Sequence, residues 1–209
     1  MPIDKIIDQY RVLGNPIHQS KSPNIHQAFA AATNQPLNYQ AQLVAEKDFE
    51  HTVRQFFVAG GKGLNITVPF KQRAFAMAQV HSPAAAKAEA ANTLYLNAQA
   101  QLVADNTDGL GLVRDICHNL KGQLNAKRIL VLGAGGAVRG VLQPILAQRP
   151  SQVVIANRTY TKACDLAALF TDLGAIEAIP MAQLQGSFDW IINGTSASLT
   201  GDLPPLPKG

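Results

Sequence analysis

Residues 127–162 constrain the fold of this chain more than any other stretch. They contain two short apolar runs, at 129–132 and 153–156, separated by a glycine-rich turn and a helical segment at 138–147. Apolar runs of this length are typical of parallel strands that crossover helices cover on both faces. The order strand, turn, helix, strand therefore predicts a parallel α/β sheet.

The turn between these runs has the composition of a phosphate-binding loop. It consists of Gly133, Ala134, Gly135, Gly136 and Ala137. Glycine lets the backbone turn tightly and approach a pyrophosphate, which can accept hydrogen bonds from the free N–H groups of a helix N-terminus. The match to G-x-G-x-x-G is incomplete, because Val138 takes the third glycine position. The alternative is an ordinary strand–helix–strand unit whose glycines serve only packing.

The end of the second apolar run indicates which dinucleotide would bind. It carries Asn157, Arg158 and Thr159, with Lys162 just beyond, and it has no Asp or Glu. An acidic residue at this point usually holds a free ribose 2′-hydroxyl, whereas an arginine pairs with a 2′-phosphate. The residues therefore favour NADP over NAD.

Composition narrows the function classes. The 209 residues carry a net charge of +4, and 47% of them are hydrophobic, which is enough for one large core or two small ones. Basic residues are scattered and aromatic residues are few, which argues against nucleic-acid binding.

No apolar run reaches membrane-spanning length, and the first residues show no signal-peptide pattern. Together with only two cysteines, this predicts a cytoplasmic protein without disulfides. The five histidines show no metal-ligand spacing, so no metal is expected.

The N-terminal half is predicted to begin with a strand at 10–14 and a helix that ends near residue 32. Ser22 precedes Pro23, a combination typical of an N-cap followed by the first helical residue. Simple capping is one interpretation. In the other, Ser20 and Ser22 present hydroxyls at a helix N-terminus, where a carboxylate can bind.

Further strands are predicted at 37–44 and 64–68, with a helix at 46–58. Lys71 lies just past the end of the strand at 64–68 and opens a helix that continues to about residue 79. Ligands of α/β proteins bind at this position, beyond the carboxyl end of a strand. A solvated surface lysine is the alternative. A helix at 84–91, a hairpin or strand pair at 93–97 and 101–104, and a helix capped by Thr107 or Asp108 and ending at 120 complete this half.

The C-terminal half continues from the glycine turn with a helix at 163–173 and strands at 175–179 and 189–192. The loop 193–196, which includes Thr195, follows a strand end and can line a cofactor crevice. Only four strands are predicted here, whereas a complete dinucleotide-binding fold has about six. We therefore expect two domains, at 1–107 and 108–209, the second incomplete at its C-terminal side in a truncated or processed chain.

Taken together, the motifs resemble those of the shikimate dehydrogenase family, from about residue 10 to residue 207. The segments that carry the resemblance are 20–23 (Ser-Lys-Ser-Pro), 65–71 (Asn-Ile-Thr-Val-Pro-Phe-Lys), 91–94, 106–109, 133–137 and 157–159. Each segment alone is a weak signal, but together, in this order and at loops or element ends, they are specific. The resemblance implies an N-terminal α/β substrate domain followed by a Rossmann-like domain.

The family's functional residues can be carried over one at a time. Ser20 and Ser22 match the serines that hold the substrate carboxylate. The residues that bind the ring hydroxyls match Asn65, Thr67, Asn92 and Asp108. Lys71 and Asp108 match the catalytic pair. Gly133 to Ala137 match the pyrophosphate loop, Asn157, Arg158, Thr159 and Lys162 match the grip on the 2′-phosphate, and Thr195 is added as a cofactor contact.

The implied reaction is the reversible, NADP-dependent reduction of 3-dehydroshikimate to shikimate in aromatic amino-acid biosynthesis. A lysine beside the reacting oxygen can move the proton, or can stabilise developing oxyanion charge while water moves it. Family members continue past residue 209 with a segment that carries a substrate-contacting glutamine. The alternatives are an NAD-using quinate/shikimate dehydrogenase and a non-catalytic fragment or sensor that binds a nucleotide or metabolite. The expected partner is a small molecule, with homodimerisation open.

Overall fold

The computed structural model of the chain describes residues 7–195 and residue 197. The chain divides into two compact units, Met1–Asn106 and Thr107–Gly209. The first unit contains a mixed sheet and the second a parallel one, which confirms the predicted α/β class. No helix in the described part of the chain is long and apolar enough to cross a membrane.

The sheet of the first unit has six strands in the order β2-β1-β3-β5-β6-β4. The strands are β1 Asp8–Gly14, β2 Leu37–Leu43, β3 Gly63–Ile66, β4 Val80–His81, β5 Thr93–Leu96 and β6 Leu102–Asp105. Strand β1 pairs in parallel with β2 and β3, whereas β5 runs antiparallel to β3 and β6. Because β5 is antiparallel to β3, its first residue lies at the same sheet edge as the end of β3.

In the part of this unit that the structure describes, four α-helices accompany the sheet: α1 Ser22–Thr33, α2 Phe49–Val58, α3 Lys71–Met77 and α4 Pro83–Ala88. Alternation along β1 separates two cores, as expected for strands whose side chains point to opposite faces. Val12 joins Ile17 and Tyr39 in a small cluster, whereas Leu13 joins the larger cluster that contains Phe49 and Phe70. Apolar side chains therefore pack on both faces of the sheet around β1.

Arg73 joins α3 to α2 through a bidentate ion pair with Glu50. The same guanidinium lies over two stacked rings, at 5.3 Å from the centroid of Phe49 and 5.6 Å from that of Phe70. The ion pair lowers the pKa of the Glu50 carboxyl, mainly through the hydrogen bonds from Arg73. Lys71 is the first residue of α3, so this contact anchors the helix that carries it.

The Glu50–Arg73 pair predicts a pH-dependent difference in stability between the wild type and Glu50→Gln. Since folding lowers this pKa, the pair stabilises the fold above the ordinary carboxyl value of 4.5, and the stabilisation is lost as pH falls through the folded value. Both side chains are about one-third exposed, at 36% and 35%, so no more than about 1 kcal/mol is expected. Urea unfolding at pH 7 and pH 3 measures the difference, which should vanish in an Arg73→Met background.

The sheet of the second unit has four parallel strands in the order β10-β7-β8-β9. They are β7 Arg128–Leu132, β8 Gln152–Ala156, β9 Ile176–Ala178 and β10 Trp190–Asn193, which confirms the four predicted strands. The helices are α5 Asp108–Arg114, continued by a π-helical turn at Asp115–Asn119, then α6 Gly136–Leu146 and α7 Tyr160–Ala168. The order matches four of the six strands of a dinucleotide-binding fold, 3-2-1-4, and the topological switch point lies between β7 and β10.

Several local predictions need correction. The helix predicted at 163–173 spans Tyr160–Ala168, and the helix predicted at 84–91 spans Pro83–Ala88. Ser22 is not an N-cap, because Lys21 holds that position and Ser22 is the first helical residue. Strand β4 was not predicted, since two residues are too few to show a periodic pattern. The helix that starts at Lys71 ends at Met77 rather than near residue 79, because the chain turns extended at Ala78 to enter β4.

Candidate active site

Three predicted substrate residues meet at one edge of the first sheet. Asn65 lies in β3, Thr67 follows that strand, and Asn92 precedes β5. The side-chain amide of Asn65 donates to the carbonyl oxygen of Asn92 at 3.3 Å. The backbone N–H of Thr67 donates to the carbonyl of Leu13 in β1 at 2.9 Å, which fixes the loop against the sheet. These three residues therefore lie together where β3 ends.

Lys71 starts α3 immediately after this loop. Its carbonyl accepts the backbone N–H of Ala91 at 2.9 Å, so its main chain lies beside the segment that carries Asn92. The side chain is half-buried. Asp108 is the first residue of α5 and belongs to the second unit. The role of Lys71 and Asp108 as a catalytic pair stays a prediction.

The two serines occupy the segment that enters α1. The backbone N–H of Ser22 donates to the hydroxyl of Ser20 at 3.4 Å, and both side chains are half-buried. The first turn of this 12-residue helix contains no acidic residue. A carboxylate near these hydroxyls would therefore meet the positive end of the helix dipole without a competing side-chain charge.

The glycine turn of the second unit lies at the switch point. Gly133 has a positive φ of 107°, a conformation that favours glycine. Its N–H donates to the carbonyl of Ala156 in β8 at 2.8 Å, and Gly135 precedes α6 in an extended conformation. The first turn of α6 has no acidic side chain. This arrangement suits a pyrophosphate at the N-terminus of α6.

The incomplete glycine pattern is explained by a contact across the switch point. Val138 is fully buried in α6, and a Cβ atom added to Gly194 would overlap the Cγ2 atom of Val138. A Cβ atom added to Gly133 would come within 3.1 Å of the Gly194 carbonyl group. The third fingerprint glycine normally permits close helix–strand packing. Here, Gly194 at the end of β10 supplies that space.

Gly194→Ala is accordingly expected to destabilise the protein by about 1–3 kcal/mol, the usual cost of forcing an extra methyl group into a packed core. Adding Val138→Ala should recover part of the loss by making room. Gly111→Ala is the matched control, because nothing lies within 4 Å of its added Cβ atom. It should leave stability unchanged or raise it by up to about 1 kcal/mol. The stability of the wild type, the two single variants and the double variant is measured from their urea unfolding midpoints. Equal midpoints for Gly194→Ala and wild type would contradict the packing argument.

The end of β8 presents the predicted 2′-phosphate residues. The side chain of Asn157 donates to the carbonyl of Thr159 at 2.9 Å, which closes the turn into α7. Arg158, Thr159 and Lys162 are exposed, and the first turn of α7 lacks acidic residues. The segment therefore offers two cations and no carboxylate, which fits a doubly charged phosphate group.

Thr195 follows β10 next to Gly194. Its hydroxyl donates to the Oδ1 atom of Asn193 at 2.7 Å, and its backbone N–H donates to the same atom at 3.0 Å. This turn orders the loop at the switch point. Among residues 7–195 and 197, no three or more potential metal-ligating side chains come together.

Sequence patterns alone did not single out two residues of these sites. Gly194 lies in a loop whose glycine has no local signal beyond a turn. Tyr39 lies in an ordinary strand pattern, yet its hydroxyl donates to the Oδ1 atom of Asn65 at 2.6 Å. Only the order of the strands brings either residue to its site.

The switch point, the glycine turn and the basic end of β8 define an α/β protein of the dinucleotide-binding class, joined to a second α/β unit with a polar sheet edge. Family comparison agrees with both halves. Residues 12–94 match the model described as shikimate dehydrogenase substrate binding domain. Residues 115–200 match the model described as shikimate / quinate 5-dehydrogenase.

Individual relatives extend this similarity over nearly the whole chain. A shikimate dehydrogenase (NADP(+)) from Cellvibrio japonicus is 56% identical, over 96% of this chain and 72% of the relative. The crystal structure of an Ael1 enzyme from Pseudomonas putida is 50% identical, with a TM-score of 0.83, over 96% of this chain and 73% of that one. A shikimate dehydrogenase solved in complex with NADP+ is 26% identical, with a TM-score of 0.85, over 97% of this chain and 72% of that one. The chain belongs to the shikimate dehydrogenase family.

Proposed function

We propose that this chain catalyses the reversible, NADP-dependent reduction of 3-dehydroshikimate to shikimate. The observation that carries the proposal is the convergence of Asn65, Thr67 and Asn92 at one sheet edge, with the main chain of Lys71 tied to the same segment. Relatives more than half identical over 96% of the chain are shikimate dehydrogenases that use NADP(+). The reaction belongs to aromatic amino-acid biosynthesis.

The first unit serves as the substrate domain in this proposal, and residues 108–209 serve as the NADP domain. Ser20 and Ser22 bind the substrate carboxylate, and the amides of Asn65 and Asn92, with Thr67, bind ring hydroxyls. The amide oxygens and the Thr67 hydroxyl are neutral groups that can accept a hydrogen bond from a substrate hydroxyl without demanding a charge on the ligand. The substrate class that fits is a small, hydroxylated carboxylic acid.

Lys71 acts on the substrate oxygen that gains or loses a proton. Its ammonium group can donate to that oxygen in reduction and its amine can accept the proton in oxidation, or it can stabilise the developing oxyanion while water carries the proton. Asp108 orients Lys71 and binds a neighbouring hydroxyl. Bound NADP supplies the nicotinamide carbon that gives or takes the hydride.

The cofactor residues fall into two sets. The turn of Gly133, Ala134, Gly135, Gly136 and Ala137 holds the pyrophosphate, and Thr195 borders it. Asn157, Arg158, Thr159 and Lys162 hold the 2′-phosphate. The absence of an acidic residue in this second set favours NADP, because a carboxylate at the end of β8 would repel the phosphate. The proposal also includes a cytoplasmic location, with homodimerisation as an open alternative.

Shikimate-dependent reduction of NADP by the 209-residue chain tests the proposal. Nicotinamide absorbance follows turnover, NAD is assayed in parallel, and calorimetric titration with shikimate reports binding without turnover. Turnover with NADP that exceeds turnover with NAD is the expected result. A chain that neither turns over nor binds shikimate would contradict the proposal and favour a sensor of another metabolite.

A further inference from the structure

Tyr39 of β2 contacts, across the intervening strand β1, the end of β3 where the predicted substrate residues lie. The residue is only 3% exposed, and its hydroxyl donates to the Oδ1 atom of Asn65 at 2.6 Å. In the strand register, Tyr10 of β1 lies beside Tyr39, and Val12 lies beside Asn65. The phenol therefore reaches over β1 to a side chain that is placed in the substrate site.

This hydrogen bond and those of the Nδ2 group together fix the orientation of the Asn65 amide. Because Oδ1 accepts from Tyr39, the Nδ2 group points away from the phenol, where it donates to the carbonyl of Asn92 and to the Oγ1 atom of Thr93, both at 3.3 Å. The Thr93 hydroxyl in turn donates to the Oδ1 atom of Asn92 at 2.8 Å. A single chain of hydrogen bonds thus runs from Tyr39 through two amides of the substrate edge.

The surroundings of Tyr39 suit a fixed donor. Burial raises the pKa of its phenol to about 12, while a hydrogen bond from the Ser22 side chain opposes the rise, so the phenol keeps its proton at neutral pH. The imidazole of His26 stacks on the ring at a centroid distance of 4.2 Å and an interplanar angle of 3°. Burial lowers the pKa of His26, which favours a neutral stacking partner. The ring is therefore held in place from α1 while its hydroxyl points to β3.

We propose that Tyr39 is a positioning residue for substrate binding, which fixes the amide of Asn65 and, through Thr93, that of Asn92. The inference rests on the proposed function, since it assigns these amides to the ring hydroxyls of the substrate. Without the Tyr39 hydroxyl, only the two 3.3 Å hydrogen bonds of the Nδ2 group would hold the Asn65 amide, so substrate binding would carry more of the cost of ordering it. Tyr39 lowers that cost before substrate arrives.

Tyr39→Phe tests the role of the hydroxyl and keeps the ring that stacks on His26. We expect both the Kd and the KM for shikimate to rise about tenfold, the usual scale for one lost hydrogen bond in a buried network. The turnover number should change by less than about twofold, because the amide acts in substrate and transition state alike. The KM for NADP should not change.

A double-mutant cycle with Asn65→Ala separates positioning from general support of the fold. If Tyr39 acts through Asn65, then Tyr39→Phe raises the Kd about tenfold in the wild type and by less than about twofold in the Asn65→Ala background. Tyr10→Phe is the matched control, since Tyr10 lies beside Tyr39 in register and is not hydrogen-bonded to Asn65. It should leave the Kd unchanged. Thermal unfolding of the substrate-free proteins measures structural damage directly.

The outcomes are distinct. Loss of affinity that disappears in the Asn65→Ala background, with an unchanged melting temperature, supports positioning. Equal losses in both backgrounds, or a wild-type Kd in Tyr39→Phe while Asn65→Ala binds weakly, overturn the inference and leave the proposed function intact. A wild-type chain that does not bind shikimate overturns both, and in that case Asn65→Ala has no affinity to lose.

Discussion

Replacement of Lys71 by methionine is expected to reduce the turnover number for shikimate oxidation by a factor of about 10²–10⁴, the usual contribution of a positioned acid–base group. Methionine keeps the apolar stem and leaves the backbone bond between the Lys71 carbonyl and the Ala91 N–H intact. The loss should therefore reflect the missing amine rather than a displaced helix. Steady-state rates of NADP reduction measure it.

Lys62→Met is the control for this variant. Lys62 is in the same unit, its side chain is 54% exposed, and its ammonium lies 4.0 Å from Asp8, so its removal should change turnover by less than about twofold. Asp108→Asn should add little to the loss in the Lys71→Met background if the two residues act as one catalytic unit. A Lys71→Met variant that retains wild-type turnover would remove Lys71 from the mechanism.

Arg158→Ala is expected to raise the KM for NADP by about 10–100-fold and the KM for NAD by less than about threefold. The guanidinium would lose charge-assisted hydrogen bonds to the 2′-phosphate, a group that NAD lacks. Because Arg158 is exposed at the end of β8, its removal should leave the fold unchanged. Parallel kinetics with both cofactors, at one fixed ionic strength, measure the change in preference.

Arg114→Ala serves as the matched arginine control, since Arg114 is an exposed residue in the last turn of α5 in the same unit. It should weaken neither cofactor by more than about twofold. Equal weakening of NADP and NAD by Arg158→Ala would instead indicate contact with a part of the cofactor common to both. The second cation, Lys162, would then be the remaining candidate for the 2′-phosphate.

The parallel strands of the second unit could be predicted because their sequence signal is local. The runs at 129–132 and 153–156 are fully buried or nearly so, and such runs have few alternatives in a chain of this composition. The glycine turn and the basic strand end follow from the same reasoning, since each lies next to a strand. The predicted catalytic and binding roles, by contrast, came from family resemblance and stay predictions.

Features that depend on two distant segments could not be predicted in this way. Strand β4 has only two residues and forms because Val80 and His81 pair with β6. The end of the preceding helix was misplaced for the same reason. Tyr39 shows the limit most clearly: nothing within residues 37–43 indicates that its hydroxyl meets Asn65, because the contact depends on which strands neighbour β1.

The close approach of Gly133, Val138 and Gly194 also limits which substitutions this protein can accept. The space that a fingerprint glycine would leave in α6 is provided instead from the end of β10, so the tolerance of one position depends on a residue 56 positions away in the chain. Substitutions at 138 and 194 should therefore be viable in pairs and harmful singly. Among relatives, we expect a small residue at one of these two positions wherever the other carries a branched side chain.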